Sequence, residues 1–137
     1  MEKLRNYIYT NYARLLLIFG FWLLLIIGAF KSHSQTPSEV YREILRQEIK
    51  SPEIVLKQSL LETGHYKCKN CSMDKNNIFG FRYKGEYLKF NHWRRSVYYY
   101  RGWQKRKYKG GDYLTFLKEV GYATSKTYIE KLKQIKI

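Results

Sequence analysis

The sequence predicts a mainly α (α+β) domain: short amphipathic helices with one small β-hairpin lobe, preceded by an N-terminal hydrophobic export helix. Three observations carry this. Apolar residues recur at helical spacing in several segments after residue 35. Those segments start and stop at residues that cap or break helices. A single aromatic-rich stretch around Lys84-Gly85 alternates as paired strands do.

The first element is the leader. Leu15 to Phe30 is uncharged and follows a basic start containing Lys3, Arg5 and Arg14, the pattern of an export signal. The run is short for a ~30 Å hydrocarbon core, which favours removal as a signal peptide over retention as an anchor. Ser32-His33-Ser34 offers a small-x-small cleavage site. Residues 1–34 are therefore expected to be a signal peptide or an uncleaved signal anchor that contacts the membrane. Residues 35–137 are expected to be one compact domain exported to the cell envelope, periplasmic or extracellular, and monomeric.

The formal net charge is +15, and removing Lys3, Arg5, Arg14, Lys31 and Glu2 with the leader leaves 22 basic and 10 acidic residues, or +12. The basic character belongs to the domain and suits polyanions: nucleic acid, anionic lipid or an acidic wall polymer. No nucleic-acid-binding motif accompanies it, so no specific nucleic acid is expected. Cys68 and Cys71 are the only cysteines. One CxxC with scattered histidines makes a poor zinc site, and a local disulfide is expected in an oxidising compartment, with no metal and no cofactor.

A first helix is expected from about Ser38 to Ile49, with Val40, Ile44 and Leu45 on its apolar face. Ser51-Pro52-Glu53 then reads as an N-cap, a first-turn proline and a first-turn acid, starting a second helix that Gly64 ends in the left-handed conformation. Ile78 to Tyr83 and Glu86 to Phe90 form the hairpin around Lys84-Gly85. A third helix covers about His92 to Tyr108, with Trp93, Val97, Tyr100 and Trp103 or Gln104 on one face. Asp112 to Val120 makes a fourth, stopped by Gly121, and Thr127-x-x-Glu130 fits a capping box for the last.

At about 100° per residue, the second helix sets Ile54 at 0°, Gln58 near 40°, Glu62 near 80°, Val55 near 100° and Leu61 near 340°. Glu62 lies on an apolar arc. A carboxyl among aliphatic groups resists ionisation, so its pKa rises toward the range where it donates a proton near neutral pH. Gln58, one turn earlier on the same face, is placed to bind it or a sugar.

Gln58-Ser59-Leu60-Leu61-Glu62-Thr63-Gly64, then Asn77-Ile78-Phe79-Gly80, then Gly121-Tyr122-Ala123-Thr124 leading to Tyr128 and Lys131-Leu132, closely resembles the bacterial glucosaminidase family of peptidoglycan hydrolases. The resemblance spans about Val40 to Ile135. It implies a lysozyme-like helical fold with a β lobe beside a substrate groove, and an endo-acting enzyme cutting peptidoglycan glycan strands next to N-acetylglucosamine. It also implies Glu62 as general acid, Tyr122 in the catalytic cleft, and Asn77, Phe79 and Gly80 at the groove wall.

Glycosidases usually need a second carboxylate. The resemblance implies that it comes from the β lobe, where Glu86 is the only acidic residue of the hairpin. The alternative is the substrate's own acetamido group. Asp112 and Asp74 are weaker candidates, explained by an N-cap and a turn, and His65 follows a helix end where exposure accounts for it. Tyr83, Tyr87 and Trp93 offer faces for sugar stacking. A muramidase or lytic transglycosylase of similar fold, and a non-catalytic basic binder of anionic wall polymers, remain the competing readings.

Overall fold

The computed structural model describes Met1 and residues 35–137; the export segment expected over residues 1–34 lies outside the described residues. The elements are α1 (Pro37–Arg46), α2 (Pro52–Glu62), a 3-10 turn (Ser72–Lys75), β1 (Arg82–Tyr83), β2 (Glu86–Tyr87), α3 (Trp93–Lys107), α4 (Tyr113–Glu119) and α5 (Tyr128–Gln134). Five helices and a two-stranded sheet make the domain mainly helical, consistent with an α-rich, lysozyme-like fold.

Helix α1 begins at a reciprocal capping box. The Thr36 hydroxyl accepts from the Glu39 backbone N–H at 3.2 Å, and the Glu39 carboxylate accepts from the Thr36 N–H at 3.1 Å. The helix ends three residues earlier than expected, because Glu48 turns left-handed and Ile49 folds back into the core. Leu45, expected on the apolar face, is exposed, whereas Glu43 is buried. Burial alone would raise the Glu43 pKa, but hydrogen bonds from Arg46 and Gln47, with the charges of Arg46 and Arg94, hold it below the usual carboxylate value. Arg94 lies on α3, so this carboxylate ties α1 to that helix.

Helix α2 packs against α1 and α5 and buries Val55, Leu56, Gln58, Ser59 and Leu60. Ser51 is its N-cap but sits in the left-handed region and makes no side-chain cap, whereas Pro52 and Glu53 occupy the first turn as expected. At the other end the Thr63 hydroxyl donates to the Ser59 carbonyl at 2.6 Å and accepts from the Tyr66 N–H at 3.1 Å. Gly64 turns left-handed, as expected. Thr63 and Gly64 thus fix the turn that follows Glu62.

The hairpin is shorter than expected. Only Arg82 with Tyr87 and Tyr83 with Glu86 pair as strands, and Ile78 to Gly80 form a buried turn instead. Asn77 holds that turn, its amide donating to the Phe81 and Leu88 carbonyls at 2.8 and 3.0 Å and accepting from the Phe81 N–H at 3.1 Å.

Helix α3 follows its expected stripe, with Trp93, Val97, Tyr100 and Gln104 buried. Helix α4 starts as expected at Asp112, whose carboxylate accepts from the Thr115 N–H at 2.7 Å. The capping box expected at α5 does not form; the Thr127 hydroxyl pairs with Ser125 instead, at 3.1 Å. Among the described residues no helix is long and apolar enough to cross a membrane.

Candidate active site

Glu62 sits at the last turn of α2, where it lines a cleft of about 490 Å³ with Phe79, Gly80, Phe81, Arg82, Tyr87, Trp103, Lys107 and the segment from Val120 to Thr124. Burial raises its pKa above the usual carboxylate value, offset in part by a hydrogen bond from Tyr128 and by the charge of Arg82. The carboxyl is thereby biased toward its protonated form while keeping a polar partner.

That partner ends a buried chain of hydrogen bonds. The Gln104 amide donates to the Tyr113 hydroxyl at 2.8 Å, and the Tyr113 and Tyr100 hydroxyls pair at 2.7 Å. Tyr100 donates to the Gln58 carbonyl at 2.5 Å, and the Gln58 amide donates to Tyr128 at 3.5 Å. Because Tyr100 gives its one proton to Gln58, Tyr113 must donate to Tyr100. Tyr128, already accepting from Gln58, is left to donate to Glu62. The chain therefore runs one way, from Gln104 on α3 through Tyr113, Tyr100 and Gln58 to Tyr128 beside Glu62.

Gly80 is required by this arrangement. It has φ +66°, and an added Cβ would lie 2.6 Å from the Glu62 Oε2. Only a residue without a side chain lets the turn after Asn77 close over the carboxyl. Tyr122 approaches from the segment after α4, where its hydroxyl donates to the Phe79 carbonyl at 2.8 Å. Burial, with the nearby Tyr128 and Glu62, raises its pKa, so it remains a donor. Its ring meets Trp103 edge-on at 5.3 Å, forming an aromatic wall.

Residues 38–136 match the glucosaminidase family, described as mannosyl-glycoprotein endo-beta-N-acetylglucosaminidase. The chain belongs to that family. No curated protein and no solved structure shows significant similarity to the chain. Membership supports a glycoside hydrolase of the peptidoglycan-hydrolase type.

Against this glucosaminidase frame, the structure brings Glu62, Gly80, Phe79 and Tyr122 to one cleft and corrects several expectations. Gln58 and Asn77 are fully buried and spend their amides on internal partners, so neither reaches substrate. The Phe79 side chain is only 1% exposed and packs on Tyr100, contributing its carbonyl to Tyr122 rather than a face to a sugar. Trp93 is buried in the core, 2% exposed, and does not line the cleft.

Tyr83 and Glu86 form the exposed pair of the hairpin, while Arg82 and Tyr87 form the pair that lines the cleft. Successive strand residues face opposite sides, so Glu86 cannot share the face of Tyr87. Glu86 instead lies near Lys75, at 3.6 Å, with its side chain 86% exposed. Asp74, Asp112 and His65 are likewise exposed and outside the cleft. Among the described residues Glu62 is the only acidic one lining it.

The residues that sequence reasoning missed are Arg82, Trp103, Lys107 and the role of Tyr128. Hairpin parity around Lys84-Gly85 groups Arg82 with Tyr87 but does not say which face meets the cleft. Cys68 and Cys71 are bonded to each other in the loop after α2, and Cys71 starts the 3-10 turn. Among the described residues no group of three or more His, Cys, Asp or Glu is arranged to hold a metal ion.

Proposed function

We propose that this domain hydrolyses peptidoglycan glycan strands at the N-acetylglucosaminyl bond, with Glu62 as general acid. The observation that carries the reading is a carboxyl biased toward protonation, placed at the wall of an open cleft in a chain of the glucosaminidase family. Glu62 gives its proton to the glycosidic oxygen as the C1–O bond breaks. Among the described residues no second carboxylate lines the cleft, and the substrate's acetamido oxygen bonds to C1 in place of a protein nucleophile. Water then attacks C1, releases the acetamido group and returns a proton to Glu62. Tyr128 and Tyr122 act as positioning groups, one through the carboxyl and the other through the Phe79 turn. Delivery to the cell envelope by residues 1–34 is part of the same reading.

Glu62→Gln removes the proton donor and keeps the shape. It is expected to lower the turnover of purified wall by ~10²–10⁴-fold while wall binding persists. Mass spectrometry of the wild-type products should find N-acetylglucosamine reducing ends. Unchanged lysis by the variant overturns the role of Glu62. An anhydro-muramic product overturns hydrolysis in favour of transglycosylation.

A further inference from the structure

The cleft holds one acid but two cations. Arg82 and Lys107 both line it, one from the hairpin and one from the last turn of α3. The Arg82 guanidinium lies 3.9 Å above the Tyr87 ring centre, and its Nη1 donates to the Gly85 carbonyl at 2.9 Å. The stacked ring and the turn carbonyl hold the fork in place and leave most of its five donors unused. Among the described residues neither Arg82 nor Lys107 is ion-paired with a carboxylate, whereas Arg46, Lys75 and Arg94 each are. A neutral sugar chain would leave both charges without a counter-ion, although Arg82 also lowers the Glu62 pKa.

We infer that Arg82 and Lys107 form an anion-recognition subsite beside Glu62, selecting glycan strands that carry a carboxylate on the sugar next to the cleaved bond. The inference deepens the proposed function and rests on it. On a muramic sugar that carboxylate has two sources: the lactyl ether after its peptide has been removed, or the stem peptide itself. Both supply the planar, two-oxygen acceptor that a guanidinium fork matches. Local recognition also differs from the general attraction expected of a +12 domain, which every surface lysine shares.

The test is binding to Glu62→Gln protein, which prevents turnover, followed by tryptophan fluorescence. Three oligosaccharides are compared: one with free lactyl carboxylates, the same compound methyl-esterified, and one bearing stem peptides. At least one anionic form should bind on the order of tenfold more tightly than the ester, and whichever does so identifies the source. Adding Arg82→Gln and Lys107→Gln should erase the preference. Adding Lys89→Gln and Lys105→Gln, which removes two exposed charges outside the cleft, should retain it. Each cleft substitution alone should lose part of the preference, so the prediction is readable even if the double variant fails to fold. Equal affinity for acid and ester, a preference that survives the cleft substitutions, equal loss in the Lys89/Lys105 variant, or no binding to any of the three overturns the inference. Failure of wild-type protein to cleave wall, with the binding preference intact, would instead count against the proposed hydrolysis alone.

Discussion

Replacing Gly80 by Ala tests the geometry of the acid directly. The new Cβ would stand 2.6 Å from the Glu62 Oε2 and 3.3 Å from its Cδ. Ordinary contacts between such atoms need about 3.5 Å, so the carboxyl must retreat by roughly 1 Å or the turn must open. Two costs follow. A left-handed backbone at φ +66° costs an L-residue about 1–2 kcal/mol, and the overpacking adds about 1–3 kcal/mol. Displacement of a catalytic group by roughly 1 Å can cost about 10²-fold in turnover. Gly111→Ala separates the two effects, because Gly111 has φ +92° with nothing within 4 Å of an added Cβ. It should lower the urea midpoint and leave kcat on purified wall unchanged. Gly80→Ala should lower both. Wild-type kcat in Gly80→Ala, or an equal kcat loss in Gly111→Ala, would refute the claim that Gly80 exists to seat the carboxyl.

Three further outcomes are expected. A general acid works only while protonated, and burial raises the Glu62 pKa, so kcat should fall as pH rises through a value above the ordinary 4.5. Arg82 opposes that shift, hence Arg82→Gln should move this alkaline limb to higher pH; a limb that stays or moves down refutes the coupling. Gln58→Leu leaves the Tyr100 and Tyr128 hydroxyls without their buried partner and should cost about 1–3 kcal/mol in urea denaturation, with a severalfold loss of kcat as Tyr128 loosens. An unchanged midpoint would mean the chain of hydroxyls carries no structural weight. Glu86→Gln, on the exposed face of the hairpin, should retain wild-type kcat, and a loss of 10²-fold or more would return it to the site.

Much of the helical frame was legible because its signals were redundant. Helix α3 combined a continuous apolar stripe with a Gly-Gly stop, and α4 combined an Asp N-cap with Gly121. Helix starts were easier to place than their side-chain caps. Thr127 and Glu130 had capping-box spacing, yet the Thr127 hydroxyl paired with Ser125, and Ser51 took a left-handed conformation without a side-chain cap. The motifs pointed to Glu62 as the candidate acid but not to the residues around it. A helical wheel gives the angle of Gln58 about its axis and says nothing of depth, so a polar residue facing a groove and one closing an internal network look alike. Asn77, placed at the groove wall by the resemblance, is spent on its own turn, and Trp93, offered as a stacking face, is buried in the core. In the hairpin, both cross-strand pairs join a charged residue to a tyrosine, so the pattern itself does not reveal which pair faces Glu62.

The acid strength of Glu62 is a tertiary property even though its position is marked by a local motif. Burial by surrounding segments favours the proton, while two groups oppose that preference: the Tyr128 hydroxyl from α5 and the Arg82 charge from the hairpin. Neither is on α2. An unpartnered buried carboxyl would be costly to seat, and a fully ion-paired one would be a poor donor, as Glu43 illustrates with its Arg46 fork. Glu62 has one phenol, itself fixed by Gln58, and a guanidinium that is not ion-paired to it. This division leaves the proton available and the carboxyl oriented. The short hairpin thus reaches the candidate site without supplying an acid among the described residues: the Arg82 charge lowers the Glu62 pKa, and Arg82 and Tyr87 line the cleft.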